Sequence, residues 1–174
     1  LVVAKNQRAA QNLSAQFQNK TAHKEYLALL NGDVKPAHGV IDNFMLKGQV
    51  FDNPTRLNNG TGPRPQRAIT EYNVLSNAAG CVSWVRFSPK TGRTHQLRLH
   101  SAFSLNAPIV GDSLYGGRCM VDGPLESVLK TNNLFLFAYK LTFQHPATGR
   151  MITLRAAVPE FMVPVMRFLE FKLP

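Results

Sequence analysis

Two short stretches of alternating apolar and polar residues, separated by a turn, constrain the fold of this chain most strongly. The first stretch covers residues 68–75 and the second covers residues 82–87. The segment 77–80 between them reads NAAG, which favours a tight reversal of the chain. Alternation places successive side chains on opposite faces of a strand. The pattern therefore predicts a β-hairpin with two antiparallel strands.

Other segments add strands around this hairpin. Residues 24–30 are largely apolar on both faces, which is typical of a strand inside a sheet. Residues 39–46 read as a further strand. Residues 134–143 form the most apolar run, and a turn at 145–150 leads into a returning strand at 151–157. We therefore expect an α+β fold, with a mixed, mostly antiparallel β-sheet and a few flanking helices.

Three segments have helical features. Apolar residues recur at helical spacing over residues 7–19, and a terminal helix is expected to begin near Pro159. Thr94 can cap a helix that runs to about residue 105, although the periodicity there fits a strand equally well. The apolar residues 1–4 predict a buried strand at the beginning of the chain.

The charge of the chain points to a polyanionic partner. It carries 20 lysine and arginine residues against 10 aspartate and glutamate residues, a formal net charge of +10. Such a balance favours nucleic acid first, and a generally basic protein without that partner is the alternative. The irregular segment 47–65 predicts a basic loop that contacts phosphates, or else a solvated connector. The cations in and beside it are Lys47, Arg56, Arg64 and Arg67.

The cysteine content argues against a metal site. Cys81 and Cys119 are the only cysteines and neither belongs to a CxxC pair, so neither a zinc site nor a disulfide framework is expected. A reducing compartment fits this usage, and we expect the cytoplasm, with an organelle as the alternative. No run approaches ~18 consecutive apolar residues, so no membrane contact is predicted.

The densest group of polar side chains follows the hairpin and reads GRTHQLRLH, residues 92–100. Arg98 lies among leucines, so its guanidinium needs an anion: a structural carboxylate, a bound phosphate or a catalytic carboxylate would each serve. Arg93 suits either a phosphate contact or simple exposure. His95 and His100 fit structural hydrogen bonding or RNA contact better than metal binding or general-base catalysis.

Two further residues have ordinary structural interpretations. Tyr26, on the strand at 24–30, reads as a core tyrosine whose hydroxyl is satisfied. Asp112 follows Gly111 in a tight loop, which is typical of a turn or helix-capping residue. The sequence contains no Walker loop and no GxGxxG, GxSxG or HExxH motif, so kinase, dehydrogenase and hydrolase functions have no support.

Four motifs in one order resemble those of the RluA-type family of RNA pseudouridine synthases. They read HKEYLAL from residue 23, GRTHQLRLH…APIVGDSLYG from residue 92, LTFQHPATGR from residue 141 and AAVPEFM from residue 156. The resemblance implies a pseudouridine synthase-like sheet with a basic central cleft. It implies the isomerisation of specific uridines in structured RNA, either ribosomal or transfer RNA, with no cofactor and no metal.

The resemblance also implies roles for individual residues. Tyr26 matches the family's tyrosine, which lies against the target base. Arg98 matches the family's arginine, which pairs with the catalytic aspartate. The candidate RNA-contacting residues are Arg93, His95, Arg64 and Arg67.

One part of the family pattern is missing. The family's aspartate lies in an R-L-D-x-x-T-S-G loop just before the segment matched by residues 1–4, and no aspartate of this chain stands in such a motif. We therefore expect residues 1–174 to be a catalytic domain without its N-terminal part, acting as a monomer. A non-catalytic RNA-binding or assembly factor on the same fold is the main alternative, and a generic basic nucleic-acid module ranks behind it.

Overall fold

A seven-stranded antiparallel sheet is the framework of the protein. The computed structural model describes residues 1–52, 64–78, 80–116 and 133–172. In that part of the chain the strand order is β3-β2-β4-β5-β1-β6-β7, and the six ladders are all antiparallel. The strands are β1 (His23–Asn31), β2 (His38–Leu46), β3 (Gln49–Phe51), β4 (Gln66–Ala78), β5 (Val82–Pro89), β6 (Leu136–Gln144) and β7 (Met151–Arg155).

Strand β1 is an interior strand of the sheet with a buried centre. It pairs with β5 on one side and with β6 on the other. Its residues 27–30 are buried regardless of the face they point to, as expected for a strand covered on both sides. Tyr26 stands at the end of this buried run, opposite Phe87 on β5 and Ala138 on β6. The apolar run of β1 therefore holds Tyr26 at a fixed position in the sheet.

The described ranges contain three short α-helices beside the sheet: α1 (Gln7–Gln18), α2 (Gln96–Leu99) and α3 (Val163–Phe168). The Asn6 side chain caps α1 by accepting a hydrogen bond from the Ala9 N–H at 2.9 Å. A 3₁₀ turn, Glu160–Met162, leads into α3, and Met162 and Met166 pack fully buried into the core. None of the helices in the described ranges is long and apolar enough to cross a membrane.

The structure confirms the predicted fold class and most of the strands. The predicted hairpin is β4 and β5, and the turn at 145–150 connects β6 to β7. The helical reading after Thr94 is confirmed over the strand reading. Arg56 and Cys119, two residues of the sequence-based interpretation, lie outside the described residues.

Three predictions about local structure are wrong in whole or in part. The segment 47–65 is not irregular throughout, because residues 49–51 form β3, which pairs with β2. Residues 1–4 form no strand, and Leu1 and Val3 are exposed, because no described strand pairs with them. Thr94 does not cap the following helix: α2 begins after His95, whose left-handed backbone (φ +53°) turns the chain into it. After one turn, α2 widens into a π-helical turn, His100–Ser104, in which the Leu105 N–H donates to the His100 carbonyl at 3.0 Å.

Candidate functional site

The segment after β5 divides its polar side chains between the protein interior and the surface. Residues four apart on a helix lie on the same face. Gln96 and His100 are accordingly both buried, whereas Arg98 is half-buried and His95 is exposed. The motif therefore combines an internal hydrogen-bonded support with side chains that remain available at the surface.

Gln96 fixes the turn that precedes the helix. Its amide nitrogen donates to the Ile69 carbonyl at 3.0 Å and to the Thr70 hydroxyl at 2.9 Å. Its amide oxygen accepts from the Thr91 hydroxyl at 2.8 Å and from the Arg93 N–H at 2.9 Å. Both ends of the buried amide are thus satisfied, and the turn is fastened to β4.

His100 continues the same network and is a structural residue. Its Nε2 lies 3.0 Å from the Asn43 Oδ1, and its Nδ1 lies 2.9 Å from the Thr70 hydroxyl. Because the Asn43 amide nitrogen donates to Ser104, its oxygen must accept, which places the ring proton on Nε2. Burial lowers the pKa of His100 to about 4, so the ring is neutral and internal at physiological pH.

This burial predicts a specific loss of stability in acid. The unfolded chain takes up a proton on His100 near pH 6.5, whereas the folded protein does so only near pH 4. The free energy of unfolding should therefore fall by about 3 kcal/mol as the pH drops through this window. Urea denaturation at several pH values measures the effect. The profile should become flatter in His100→Gln and stay unchanged in His38→Gln, whose ring is exposed.

Arg98 forms the most buried of the described ion pairs. Its Nε donates to the Asp112 Oδ2 at 2.7 Å and its Nη2 donates to the Asp112 Oδ1 at 2.6 Å. The side chain of Asp112 is fully buried, and that of Arg98 keeps 16% of its surface exposed. Of the three anions that the sequence allowed for Arg98, the structure shows a carboxylate of the same chain. The turn reading of Asp112 was right but omitted this partner.

The loop around Asp112 is built to hold this carboxylate. Its Oδ1 also accepts from the N–H groups of Leu114 and Tyr115, each at 2.9 Å. Burial by itself raises the pKa of Asp112, but the hydrogen bonds from Arg98 and from these two N–H groups outweigh it and hold the pKa below its ordinary value. Gly111 precedes it with φ +77°, and a Cβ there would lie 1.8 Å from the Asn133 carbonyl oxygen. Asp112 therefore stays ionised and in place.

Tyr115 covers the guanidinium of Arg98. The Arg98 Cζ lies 5.1 Å from the centre of the Tyr115 ring, within the range of a cation–π contact. The Tyr115 hydroxyl lies 3.0 Å from the Nδ1 of His95. Asp112 thus fixes one edge of the guanidinium and Tyr115 fixes its face, so Arg98 is held in one orientation.

Arg98 and Tyr26 line one pocket of about 240 Å³, which we call the Arg98 pocket. Lys24 and Tyr26 reach it from β1, and the other lining residues come from the end of β5, the following turn, α2 and β6: Pro89, Thr91, Gly92, Arg93, His95, Gln96, Leu97, Arg98 and Leu136. Burial raises the pKa of the Tyr26 phenol, which is therefore neutral at physiological pH. Among the described residues, the wall of this pocket contains three cationic or potentially cationic side chains besides Arg98 and no carboxylate.

The four candidate RNA-contacting residues divide into two groups. Arg93 and His95 line the Arg98 pocket. Arg93 also donates to the Arg67 carbonyl at 3.1 Å and to the Gln66 side-chain oxygen at 2.8 Å. Arg64 and Arg67 are exposed and lie outside the described wall of the pocket; Arg67 forms a two-point ion pair with Asp42 on β2. The structure thus brings Tyr26, Arg98, Arg93 and His95 together.

Sequence reasoning missed three residues of the site. Lys24 stands two positions before Tyr26 on the same face of β1, a spacing that could have revealed it. Tyr115 and the pairing of Asp112 with Arg98 depend on a loop that folds back from 14 residues further along the chain. In the described ranges, no group of three or more His, Cys, Asp or Glu side chains could hold a metal ion.

Comparison with known proteins gives matches over most of the chain. Residues 1–103 match the family model described as RNA pseudouridylate synthase. The chain is 35% identical to the ribosomal large subunit pseudouridine synthase C of Vibrio vulnificus over 170 residues, 98% of this chain and 51% of that protein. It is 37% identical to the ribosomal large subunit pseudouridine synthase D of Borreliella burgdorferi over 141 residues, 81% of this chain and 40% of that protein. The chain spans about half the length of the curated relatives it matches.

Solved structures show the same architecture. The human RNA pseudouridylate synthase domain containing 4 aligns with a TM-score of 0.77 at 25% identity, covering 97% of this chain and 70% of that one. The human RNA pseudouridylate synthase domain containing 1 aligns with a TM-score of 0.68 at 28% identity, covering 94% and 65%. These matches agree with the antiparallel sheet described above.

Proposed function

We propose, because this chain belongs to the RNA pseudouridylate synthase family, that it forms the core of an enzyme that converts specific uridines to pseudouridine in structured RNA. The observation that carries the proposal is the Arg98 pocket, which Tyr26 and Arg98 line together. The net charge of +10 favours an RNA substrate, either ribosomal or transfer RNA. Two of the relatives are named as synthases of the ribosomal large subunit, which favours ribosomal RNA.

In this proposal Tyr26 receives the target base. A uridine must leave its stack before its glycosidic bond can be reached, and an aromatic ring compensates for the lost stacking. The Tyr26 phenol is half-buried and neutral, and its hydroxyl makes no hydrogen bond within the described part of the chain. The hydroxyl is therefore available for proton transfer at the sugar or the base.

Arg98 would orient and keep ionised the carboxylate that the reaction needs. Breaking the glycosidic bond and rejoining the base through carbon requires a nucleophilic carboxylate beside the sugar. Asp112 engages the Nε and Nη2 of Arg98, which leaves Nη1 without a partner among the described residues. Since the described pocket wall contains no carboxylate and the chain spans half the length of its relatives, we propose that the nucleophile comes from a segment outside this chain.

The remaining assignments complete the proposal. Arg93 and His95 contact the RNA at the rim of the Arg98 pocket, and Arg64 and Arg67 contact it further out. No cofactor or metal takes part. The monomeric state, the cytoplasmic location and the reading of residues 1–174 as part of a larger catalytic domain stay predictions.

The proposal is tested by assaying the complete gene product on unmodified transcripts of ribosomal and transfer RNA. Pseudouridine has the same mass as uridine, so the RNA is digested to nucleosides, and the two are separated by chromatography before detection. We expect pseudouridine to accumulate with time at one or a few positions. Tight RNA binding without any pseudouridine would overturn the enzymatic proposal and favour a non-catalytic RNA-binding factor.

A further inference from the structure

A second, larger pocket adjoins the Arg98 pocket. It lies between the end of α1, the beginning of β1 and the turn after β5, and its volume is about 660 Å³. We call it the flank pocket. Five residues line both pockets: Lys24, Pro89, Thr91, Gly92 and Arg93. The two pockets are therefore neighbouring compartments of one depression, and the volume of the flank pocket lies in the range of small-ligand sites.

The flank pocket has an excess of positive charge. Its wall contains four basic side chains, Lys20, Lys24, Lys90 and Arg93, and one acidic side chain, Glu25. Glu25 is already paired with Lys140 at 2.8 Å, outside the described wall. Of the four cations, only Lys90 has a described carboxylate partner, Glu71 at 2.7 Å. The depression therefore attracts an anion.

Lys24 stands at the boundary between the two pockets. It is half-buried, and burial lowers the pKa of its ammonium group. Its described contact is with the ring of Phe17, whose centre lies 5.9 Å from the Nζ. A half-buried ammonium without a carboxylate is unfavourable until an anion binds. Arg93, which also lines both pockets, donates to two neutral oxygen atoms, so its charge is also uncompensated by a described carboxylate.

The flank pocket also offers apolar surface. Phe17 from the last turn of α1 is 43% exposed, and Pro89 also lines the pocket. Single-stranded nucleic acid is bound by this combination, with cations on the phosphates and aromatic side chains beside the bases. A basic surface that only contacts solvent does not account for an exposed aromatic ring or for a depression of this size.

We propose that the flank pocket binds the nucleotide next to the target uridine, with the phosphodiester that joins the two held between Lys24 and Arg93. Phe17 packs against the base or sugar of that flanking nucleotide. The inference rests on the proposed function for the identity of the nucleotide in the Arg98 pocket. It assigns to the chain a subsite that distinguishes a uridine within a single-stranded RNA segment from a free nucleotide.

The subsite is tested by binding, independently of turnover. A fluorescein-labelled oligoribonucleotide with one central uridine is titrated with the complete gene product at several salt concentrations. Lys24→Gln should reduce the salt slope of log K by about 0.7, the value for one lost phosphate contact on a single strand. Phe17→Ala should weaken binding by about fivefold or more. Arg8→Gln, on the exposed side of α1, is the matched control and should leave the slope unchanged.

A modified RNA locates the phosphate. When a neutral methylphosphonate replaces the linkage on the 5′ or on the 3′ side of the uridine, one of the two RNAs should bind equally to the parent and to Lys24→Gln. If Lys24→Gln weakens binding to both RNAs as it does to the unmodified one, or if all variants match Arg8→Gln, the subsite is wrong. Binding effects without any uridine conversion would retain the subsite and contradict only the proposed function.

Discussion

Arg98→Lys in the complete gene product should lower the rate of uridine conversion by about 100-fold or more while the protein remains folded. Lysine keeps the positive charge beside Asp112, but it cannot donate two parallel hydrogen bonds to that carboxylate and offer a third nitrogen to the pocket. The nucleophile would therefore lose its orientation, although a positive charge would remain beside it. Single-turnover kinetics at saturating RNA measure the effect on the chemical step.

A matched substitution and a companion variant separate this role from general damage. Arg155→Lys changes the same residue type on the exposed edge strand β7 and should leave the rate unchanged. Tyr26→Phe keeps the ring and removes the hydroxyl, so it should also lose most activity with little loss of stability. If Arg98→Lys reacts as fast as Arg155→Lys, the assignment of Arg98 is wrong. If Tyr26→Phe keeps the parent's activity, the role of Tyr26 is limited to stacking against the base.

Asp112→Asn should destabilise the protein by about 3 kcal/mol at neutral pH. The substitution removes the charge that compensates Arg98, whose side chain is 16% exposed, and leaves the guanidinium close to a neutral amide. It also replaces one carboxylate oxygen with an NH₂ group. In the parent, Oδ1 accepts hydrogen bonds from two backbone N–H groups and from one guanidinium N–H. Urea denaturation followed by circular dichroism gives the change in free energy of unfolding.

A second ion pair of the same geometry provides the control. Arg67 also donates two hydrogen bonds to an aspartate, Asp42. The side chains of Arg67 and Asp42 are, however, 60% and 38% exposed. Because exposed pairs contribute little, Asp42→Asn should cost much less stability than Asp112→Asn. Equal costs for the two substitutions would show that burial of Asp112 does not govern the strength of its pair with Arg98.

The strands could be predicted from the sequence because their signals are local. Alternation at 68–75 and 82–87, and the apolar run at 24–30, each require only neighbouring residues to bury one face or both. Residues 1–4 show the limit of this reasoning. Their composition predicts a strand, but a strand needs a partner, and no described strand pairs with them. The left-handed conformation of His95 could not be predicted either, because a histidine side chain does not require a positive φ.

The site could be predicted only in part, because its residues come together through contacts between distant parts of the chain. Tyr26 and Arg98 were found through a family resemblance, and that each lines the same pocket is a result of sheet register and of the turn after β5. The interior role of Gln96 and His100 required knowing that α2 and the following π-helical turn place them against β4. Their i, i+4 spacing fits one face of a helix, but the sequence does not show that this polar face is buried while His95 is exposed.

The sequence by itself determined the antiparallel sheet, the positive charge and the residue types that can carry the chemistry, because these depend on composition and on neighbours along the chain. The tertiary structure decided which anion Arg98 holds, which histidine is neutral, and that Lys24 stands between two pockets. Those outcomes depend on contacts between residues that are distant in sequence. Burial and neighbouring charges affect these residues only once the chain has folded.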